Sequence, residues 1–388
     1  MKKTLSMTKN GKTDTYCNQK FWWLNVDLTR KQSYSCCAAT PAQIDIDWLS
    51  RNPGKLFNTP LLQQERVAML NGDPVESCWD TCFKVESQGL VSRRQHKQSF
   101  NRTHTDIEAS PTLINVVLGS TCNLTCVYCC KQYSTAWTRD LEQNGSYLDD
   151  NRFKIFPNDH VKKHLDIQSE HDYKLLIEEL GSLSADIVHI SGGEPFLYNS
   201  LSDLVANTPA NTIKINTGLG VDPTRFQNQI NQLKHLPNVK IHISGETIGK
   251  LYELARYGNT YDRFEKNLQI VRDSGLEYTM VSVISNLTVL GMLDFWSQYQ
   301  DCDFHFLICN DPDFLSVNVL DDATKAQVIE QFQNSQHPAK AMILENISQP
   351  VEATQHSNFA TYIQEFSKRR NLSLDLLPES LQRWIHNA

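Results

Sequence analysis

The chain has 388 residues, 40% of them hydrophobic and 21% charged, a balance that sustains two or three folded domains with sizeable cores. Its formal net charge of −7 argues against nucleic acid as a partner, because phosphate neutralisation needs a basic face. No apolar run approaches the ~20 residues of a bilayer span. The charged N-terminus MKKTLSMTKNGKTD lacks the apolar core of a signal peptide, so the expected location is cytoplasmic, with no membrane partner.

Eleven cysteines in a reducing compartment read as metal or redox ligands rather than disulfides. Cys17, Cys36, Cys37, Cys78 and Cys82 lie in the first stretch. Cys122, Cys126, Cys129 and Cys130 lie together, and Cys302 and Cys309 sit in a predicted strand. This layout suggests two metal centres and two domains.

Residues 1–95 hold the strand-like runs FWWLNVDL and SYSCCAA and one predicted helix, TPLLQQERVAMLNG. Its Leu61, Leu62, Val67 and Leu70 recur at helical spacing, and Gly72 ends it. Residues 96–110 are polar and patternless, a linker. The small basic run Arg93, Arg94, His96 and Lys97 reads as a solvated loop.

Residues 111–318 change character. The apolar runs INVVLGS, DIVHIS, TIKINT, VKIHISG, YTMVSVIS and CDFHFLIC alternate with helical patterns such as YKLLIEELGSL and YDRFEKNLQIVRDSG. Six strands in βα units predict an α/β fold with a parallel sheet. Near-continuous apolarity predicts cover on both faces. The segment NGSYLDDNRFKIFPNDHVKKHLD interrupts the first βα unit as an insertion near the mouth of the sheet, where loops often carry substrate contacts. Residues 319–388 form helices (ATKAQVIEQFQ, FATYIQEFSKRR) expected on the exterior.

The run Ser120-Thr121-Cys122-Asn123-Leu124-Thr125-Cys126-Val127-Tyr128-Cys129 has the spacing C-x3-C-x2-C. Three thiolates this close can wrap one iron–sulfur cluster and leave one iron without a protein ligand. A purely electron-transferring [4Fe–4S] cluster normally has four cysteine ligands. Cys130 adjoins Cys129 and reaches the same cube only with strain, so it reads as a neighbour rather than a ligand. A zinc site would want four ligands, commonly from paired knuckles, and no second knuckle lies nearby.

This loop follows the first strand of the sheet, with aromatic Tyr128 just before the third cysteine. It is similar to the cluster motif of the radical S-adenosylmethionine superfamily, a resemblance that covers roughly residues 111–315. The resemblance implies a partial (β/α)6 barrel with its active site at the C-terminal ends of the strands. It also implies a [4Fe–4S] cluster on Cys122, Cys126 and Cys129, whose open iron is chelated by the amino and carboxylate groups of S-adenosylmethionine. One electron, from a flavodoxin- or ferredoxin-type donor, would cleave that cofactor to methionine and a 5′-deoxyadenosyl radical that abstracts hydrogen from a substrate.

A second motif agrees. Ser191-Gly192-Gly193-Glu194-Pro195 follows DIVHI and resembles the family's GGEP segment. Two glycines permit close backbone approach. The resemblance places this edge at the cofactor's ammonium, with Glu194 as an added acceptor. It further places Asn216 and Thr217 near the ribose or methionine, Ser244 and Glu246 at polar groups of the cofactor, and Arg256 opposite its carboxylate, a pairing that is strong when bidentate.

The N-terminal cysteines carry a separate resemblance. Cys17 precedes a hairpin-like stretch ending in Cys36-Cys37. Then come Arg66, Met69 and Gly72, the loop Cys78–Cys82, and Glu86, Gly89 and Ser92-Arg93. This order resembles the auxiliary-cluster modules called SPASM and twitch, and implies a second [4Fe–4S] cluster on Cys17, Cys36, Cys78 and Cys82. Cys36 is preferred to Cys37 because it corresponds to the first cysteine of the family's CC variant. Three features depart from the pattern: the last pair is C-x3-C rather than C-x2-C, the module precedes the barrel, and Lys31 stands near the usual glycine. Zinc on the same four thiolates is the rival. Either metal would give this loop-rich region a folding centre.

The resulting expectation is an enzyme acting on a residue in a peptide or protein. Modification of a nucleotide or another small molecule is the alternative. A non-catalytic iron–sulfur scaffold or electron carrier is a third reading, against which the intact GGEP segment speaks. No cobalamin-binding domain is evident.

Overall fold

The structure is a computed structural model and describes residues 15–89, 91–95, 104–148 and 170–387. The first fourteen residues, the first half of the expected linker and most of the expected insertion at 144–166 lie outside the described residues. The chain divides into two compact units. One comprises Met1–Gly119, Leu165–Ser191 and Ser200–Lys214; the other comprises Ser120–His164, Gly192–Asn199 and Ile215–Ala388. Residues on both sides of the expected 96–110 linker therefore share the first unit.

In the first unit the strand β1 (Trp23–Asp27) is buried at all five positions, as a strand covered on both faces must be. It pairs in parallel with β4 (Leu113–Val117), Trp23 opposite Leu113 and Asp27 opposite Val117. β4 in turn pairs in parallel with β6 (Ala185–Ser191), Val117 opposite Ser191. On the outer side β2 (Gln32–Tyr34) and β3 (Ala42–Gln43) add antiparallel turns of chain. The expected hairpin forms, and it also extends the parallel sheet. Asp27 closes its turn by accepting from the Arg30 amide at 2.8 Å. Lys31, where a glycine was expected, adopts φ 52°. That left-handed conformation is costly for a residue with a Cβ, and Lys31 is held there by an ion pair with Asp172.

The helix Pro60–Asn71 ends at Gly72, at φ 83°, as its sequence predicts; at its start Thr59 accepts from the Leu62 amide and Pro60 occupies the first turn. Its inward face differs from the apolar spacing. Leu62, Glu65, Arg66 and Met69 point in, whereas Leu61 and Val67 are exposed. The reason is polar satisfaction. Glu65 pairs with buried Lys20 at 2.6 Å. Arg66 donates to the carbonyls of Lys20, Phe57 and Ile107 and to Asn58 Oδ1. A buried charge is tolerated only with such partners.

In the second unit β8 (Val239–Ser244), β10 (Glu277–Ile284) and β11 (Asp303–Ile308) run parallel, Ile243 opposite Met280 and Met280 opposite Phe304. The strand β7 (Ala210–Thr217) enters this unit with its last three residues. A short antiparallel pair joins β5 (Thr125–Cys126) to β9 (Arg256–Tyr257). All six expected strands are present. Their burial alternates instead of being continuous: in β8, Val239, Ile241 and Ile243 are buried and Lys240, His242 and Ser244 half-buried. One face meets the helices; the other is left partly open.

The C-terminal helices Asp322–Gln333, Lys340–Ile347, Ala353–Arg369 and Glu379–Asn387 do more than cover an exterior. Phe332, Ile343, Phe359, Phe366 and Trp384 share one core with Val127, Trp137 and Ile284. Among the described residues no helix is long and apolar enough to cross a membrane.

Candidate active site

Within the second unit the cysteine loop is shaped by the helix that follows it. Ser134 caps the helix Thr135–Asn144 and donates its hydroxyl to the Leu124 carbonyl at 2.6 Å. The Thr135 hydroxyl accepts from the Cys122 amide and donates to the Cys122 carbonyl, at 3.2 and 3.0 Å. Cys126 lies in the β5–β9 pair, opposite Arg256.

The glycine segment docks on this loop through its backbone. The Glu194 amide donates to the Thr121 carbonyl at 2.9 Å. Gly193 sits at φ +56°, and a Cβ there would lie 2.3 Å from that same oxygen. Glycine is thus required twice, by conformation and by space. Glu194 is buried. One carboxylate oxygen accepts from the Gly218 amide at 2.9 Å and the other from the Phe196 amide at 3.2 Å. Burial pushes its pKa up to about 7 against those hydrogen bonds. The Thr217 hydroxyl is a third hydrogen-bond partner, and a carboxylate has about four acceptor sites.

Arg256 and Glu246 are both buried and locked together. Arg256 Nε and Nη2 reach Glu246 Oε2 at 3.1 and 2.8 Å. Tyr128 donates its hydroxyl to the other Glu246 oxygen, and the guanidinium stands 5.4 Å from the centre of the Tyr128 ring. Arg256 Nη1 also points at Cys126 Sγ, at 3.9 Å. Burial opposes the charge on Arg256, but Glu246 and the groups around it hold its pKa well above the usual value. Asn216, Ser191 and Ser244 are half-buried at the ends of β7, β6 and β8.

The three thiols fit a metal cluster by their chemistry. Burial drives the Cys122 pKa up to about 12, with Cys126 and Glu194 adding to the rise. Cys129 is raised by its hydrogen bond with Cys130, by burial, and by Cys126 and Cys122. Thiols that penalise one another's ionisation converge where a cation is wanted, since a metal deprotonates its thiol ligands outright. Cys122 Sγ also accepts from the Leu124 amide at 3.5 Å.

The N-terminal thiols show the same signature in the first unit. Cys17, Cys36, Cys78 and Cys82 are all buried. Burial raises the Cys17 pKa to about 12, and Cys36, Cys78 and Cys82 each add to the rise. The Ala38 amide donates to Cys36 Sγ at 3.3 Å, and the Gln19 amide serves Cys17 in the same i+2 position. Cys37 is exposed. The loops are stitched together by Thr40 N to the Ser77 carbonyl at 2.8 Å and Thr81 Oγ1 to the Ala38 carbonyl at 2.5 Å. Arg94, paired with Glu86, donates to the Tyr16 carbonyl beside Cys17.

The unusual C-x3-C spacing has a structural account. Residues Trp79–Phe83 form a widened π-turn in which Lys84 N bonds to the Trp79 carbonyl. A π-turn accommodates one extra residue, which brings Cys82 within electrostatic reach of Cys17 and Cys78. Among the described residues no three His, Cys, Asp or Glu side chains close to the spacing of a single metal ion.

Sequence reasoning missed Ser134 and Thr135, although a Ser-Thr pair ahead of a helical run is a capping signal. It also missed every C-terminal residue that touches the loop, for which no local signal exists.

Residues 116–294 match the family model described as the Radical SAM superfamily. No curated protein matches the chain. Among solved structures, native anSMEcpe with bound AdoMet is similar at 13% identity, covering 67% of this chain and 61% of that one, with a TM-score of 0.37. The same protein with bound AdoMet and a Cp18Cys peptide is similar at 15% identity, 57% and 58% coverage and a TM-score of 0.36. Streptococcus suis SuiB bound to precursor peptide SuiA is similar at 13% identity, 92% and 71% coverage and a TM-score of 0.34. The chain spans about three fifths of the length of the first of these.

Proposed function

We propose that this radical S-adenosylmethionine enzyme holds its catalytic [4Fe–4S] cluster on Cys122, Cys126 and Cys129 and abstracts hydrogen from a residue in a peptide or protein. The observation that carries the cluster assignment is the docking of the three-thiol loop on the Gly193–Glu194 backbone through Thr121. When bound, the reduced cluster and S-adenosylmethionine supply the 5′-deoxyadenosyl radical. The chain supplies orientation, charge and exclusion of water.

Each residue has a stated part. Gly192 and Gly193 bring their edge against the loop, where an ammonium can be hydrogen-bonded. Glu194 fixes that edge to Gly218 and keeps acceptor capacity for the cofactor. Ser191, Asn216 and Ser244 offer polar groups at strand ends. Tyr128, Glu246 and Arg256 set the charge beside Cys126. In the structure Arg256 is engaged by Glu246, so we assign it to the sulfur environment at least as much as to the cofactor carboxylate.

The four buried thiols Cys17, Cys36, Cys78 and Cys82 support a second, fully ligated centre. Such a module is common among peptide-modifying relatives, which is the ground for a peptide or protein substrate and for a low-potential flavodoxin- or ferredoxin-type donor. Anaerobic reconstitution with dithionite and S-adenosylmethionine tests the reading. Release of 5′-deoxyadenosine and methionine is expected; a protein that loads iron yet releases neither overturns it.

A further inference from the structure

The C-terminal helix Ala353–Arg369 reaches the middle of the cysteine loop from more than 230 positions away in sequence. Tyr362, fully buried, donates its hydroxyl to the Val127 carbonyl at 2.6 Å. Arg370, one residue past the helix, donates from Nε to Thr125 Oγ1 at 3.2 Å. Between these two contacts, Trp137 donates its indole N–H to the Cys126 carbonyl at 3.0 Å, and Phe366 packs on Trp137 with ring centroids 5.9 Å apart. Three consecutive residues centred on Cys126 are thus each held by one side chain of a single buried cluster.

The cluster is stiff and charged. The Arg370 guanidinium lies 3.6 Å over the Phe366 ring, with Tyr257 and Trp137 at 5.1 and 5.2 Å. Its Nη1 donates to Tyr147 Oη at 2.7 Å. Arg369 lies 3.7 Å over the Tyr147 ring and donates to the carbonyls of Gly145 and Ser146 at 2.8 and 3.1 Å. Asp140 is the carboxylate shared by both arginines, at 3.6 and 3.7 Å, and both arginine side chains are 5% exposed. Buried guanidinium groups stacked on aromatic faces hold their geometry with little residual motion.

We propose that Tyr362 and Arg370 are positioning residues for the catalytic cluster, so that the C-terminal helical segment is a working part of the active site. They act through Val127 and Thr125, the two neighbours of Cys126. The Tyr362 hydroxyl and the Trp137 indole polarise the carbonyls of Val127 and Cys126. Arg370 fixes Thr125 while bringing a buried positive charge to the loop. Hydrogen bonding and charge around the sulfurs set the reduction potential of a cluster. The proposal rests on the cluster assignment made above.

The test uses the full chain, reconstituted anaerobically, and compares wild type, Tyr362→Phe, Arg370→Lys and Phe359→Leu. Iron content, the electron paramagnetic resonance spectrum of the reduced cluster and its midpoint potential are read beside S-adenosylmethionine cleavage. Tyr362→Phe keeps the ring and loses one hydrogen bond. It should retain its iron, shift the spectrum and potential, and slow cleavage by roughly three- to tenfold, the size of one such bond. Arg370→Lys keeps the charge but loses the fork, and should give a broadened spectrum. Phe359→Leu lies on the same helix against Trp384, with stacked rings at 4.5 Å; it should lower thermal stability and leave the spectrum unchanged. Wild-type spectra and potentials in both Tyr362→Phe and Arg370→Lys overturn the proposal, as does an equal shift in Phe359→Leu. A wild type that loads no cluster on the Cys122 loop overturns the underlying assignment as well.

Discussion

The two cysteine centres use one chemistry in two surroundings. In the first unit four buried thiols lie within electrostatic reach of one another, and the carboxylates nearby are paired with buried cations: Glu65 with Lys20 and Glu86 with Arg94. In the second unit three thiols gather on a loop pressed against glycine backbone, and Glu194 is held by the amides of Gly218 and Phe196 and by the Thr217 hydroxyl. A set of four thiolates closes a coordination shell, whereas three leave a position for a ligand beside an edge shaped to receive it. The contrast teaches that the number of thiols and the nature of their bracing separate a folding or electron-storage centre from a reacting one.

The largest expected effect removes one centre entirely. Fully reconstituted protein should bind about eight irons if both sites are [4Fe–4S]. Replacing Cys122, Cys126 and Cys129 with alanine should leave about four irons and abolish release of 5′-deoxyadenosine. Four irons plus one zinc in the wild type would instead assign zinc to the first unit, and metal analysis reads this directly. A triple variant that keeps all its iron breaks the comparison.

Gly193→Ala comes next. The added Cβ would stand 2.3 Å from the Thr121 oxygen at a backbone angle alanine resists. The strain, on the order of 1–3 kcal/mol, should push the glycine edge off the cysteine loop. Calorimetric binding of S-adenosylmethionine should weaken at least tenfold while iron content holds. Unchanged affinity would show that the edge does not face the cofactor.

Replacing Cys78 and Cys82 with alanine sharpens the division of roles. The variant should still cleave S-adenosylmethionine and lose turnover of the real substrate. Residues 15–95 do not form an isolated module, however, because β1 is bonded along its length to β4. The measurement therefore needs a melting curve beside the product assay. Loss of cleavage in a variant that melts normally and keeps the Cys122 cluster would show that the first centre feeds the second.

Much of this was legible in the sequence because it was local. Six strands, the helix end at Gly72, and the docking of Gly193 beside the cysteines follow from apolar runs and from residue types that serve one backbone purpose. What was illegible depends on distance or on polar burial. Apolar periodicity credited Leu61 and Val67 with the inward face of their helix, yet Glu65 and Arg66 occupy it because their charges find partners. The pairing of β1 with β4 joins segments about ninety residues apart. The contacts from Tyr362 and Arg370 to the cysteine loop leave no spacing to read.

The smallest expected effect concerns Glu194, whose buried carboxylate accepts from backbone amides. Burial raises the Glu194 pKa from the ordinary 4.5 to about 7, working against the amides of Gly218 and Phe196. The folded state therefore binds its proton more tightly than the unfolded chain does. By linkage, the stabilisation this gives is fully present below pH 4.5 and is lost as pH rises through about 7. In the metal-free protein, Glu194→Gln should carry the neutral-state behaviour across the whole range. The difference in urea midpoint between wild type and variant should change steadily between pH 4.5 and 7 and stay level outside it. A flat difference would mean that burial does not favour the protonated form of Glu194, and the electrostatic half of the contrast between the two centres would fall.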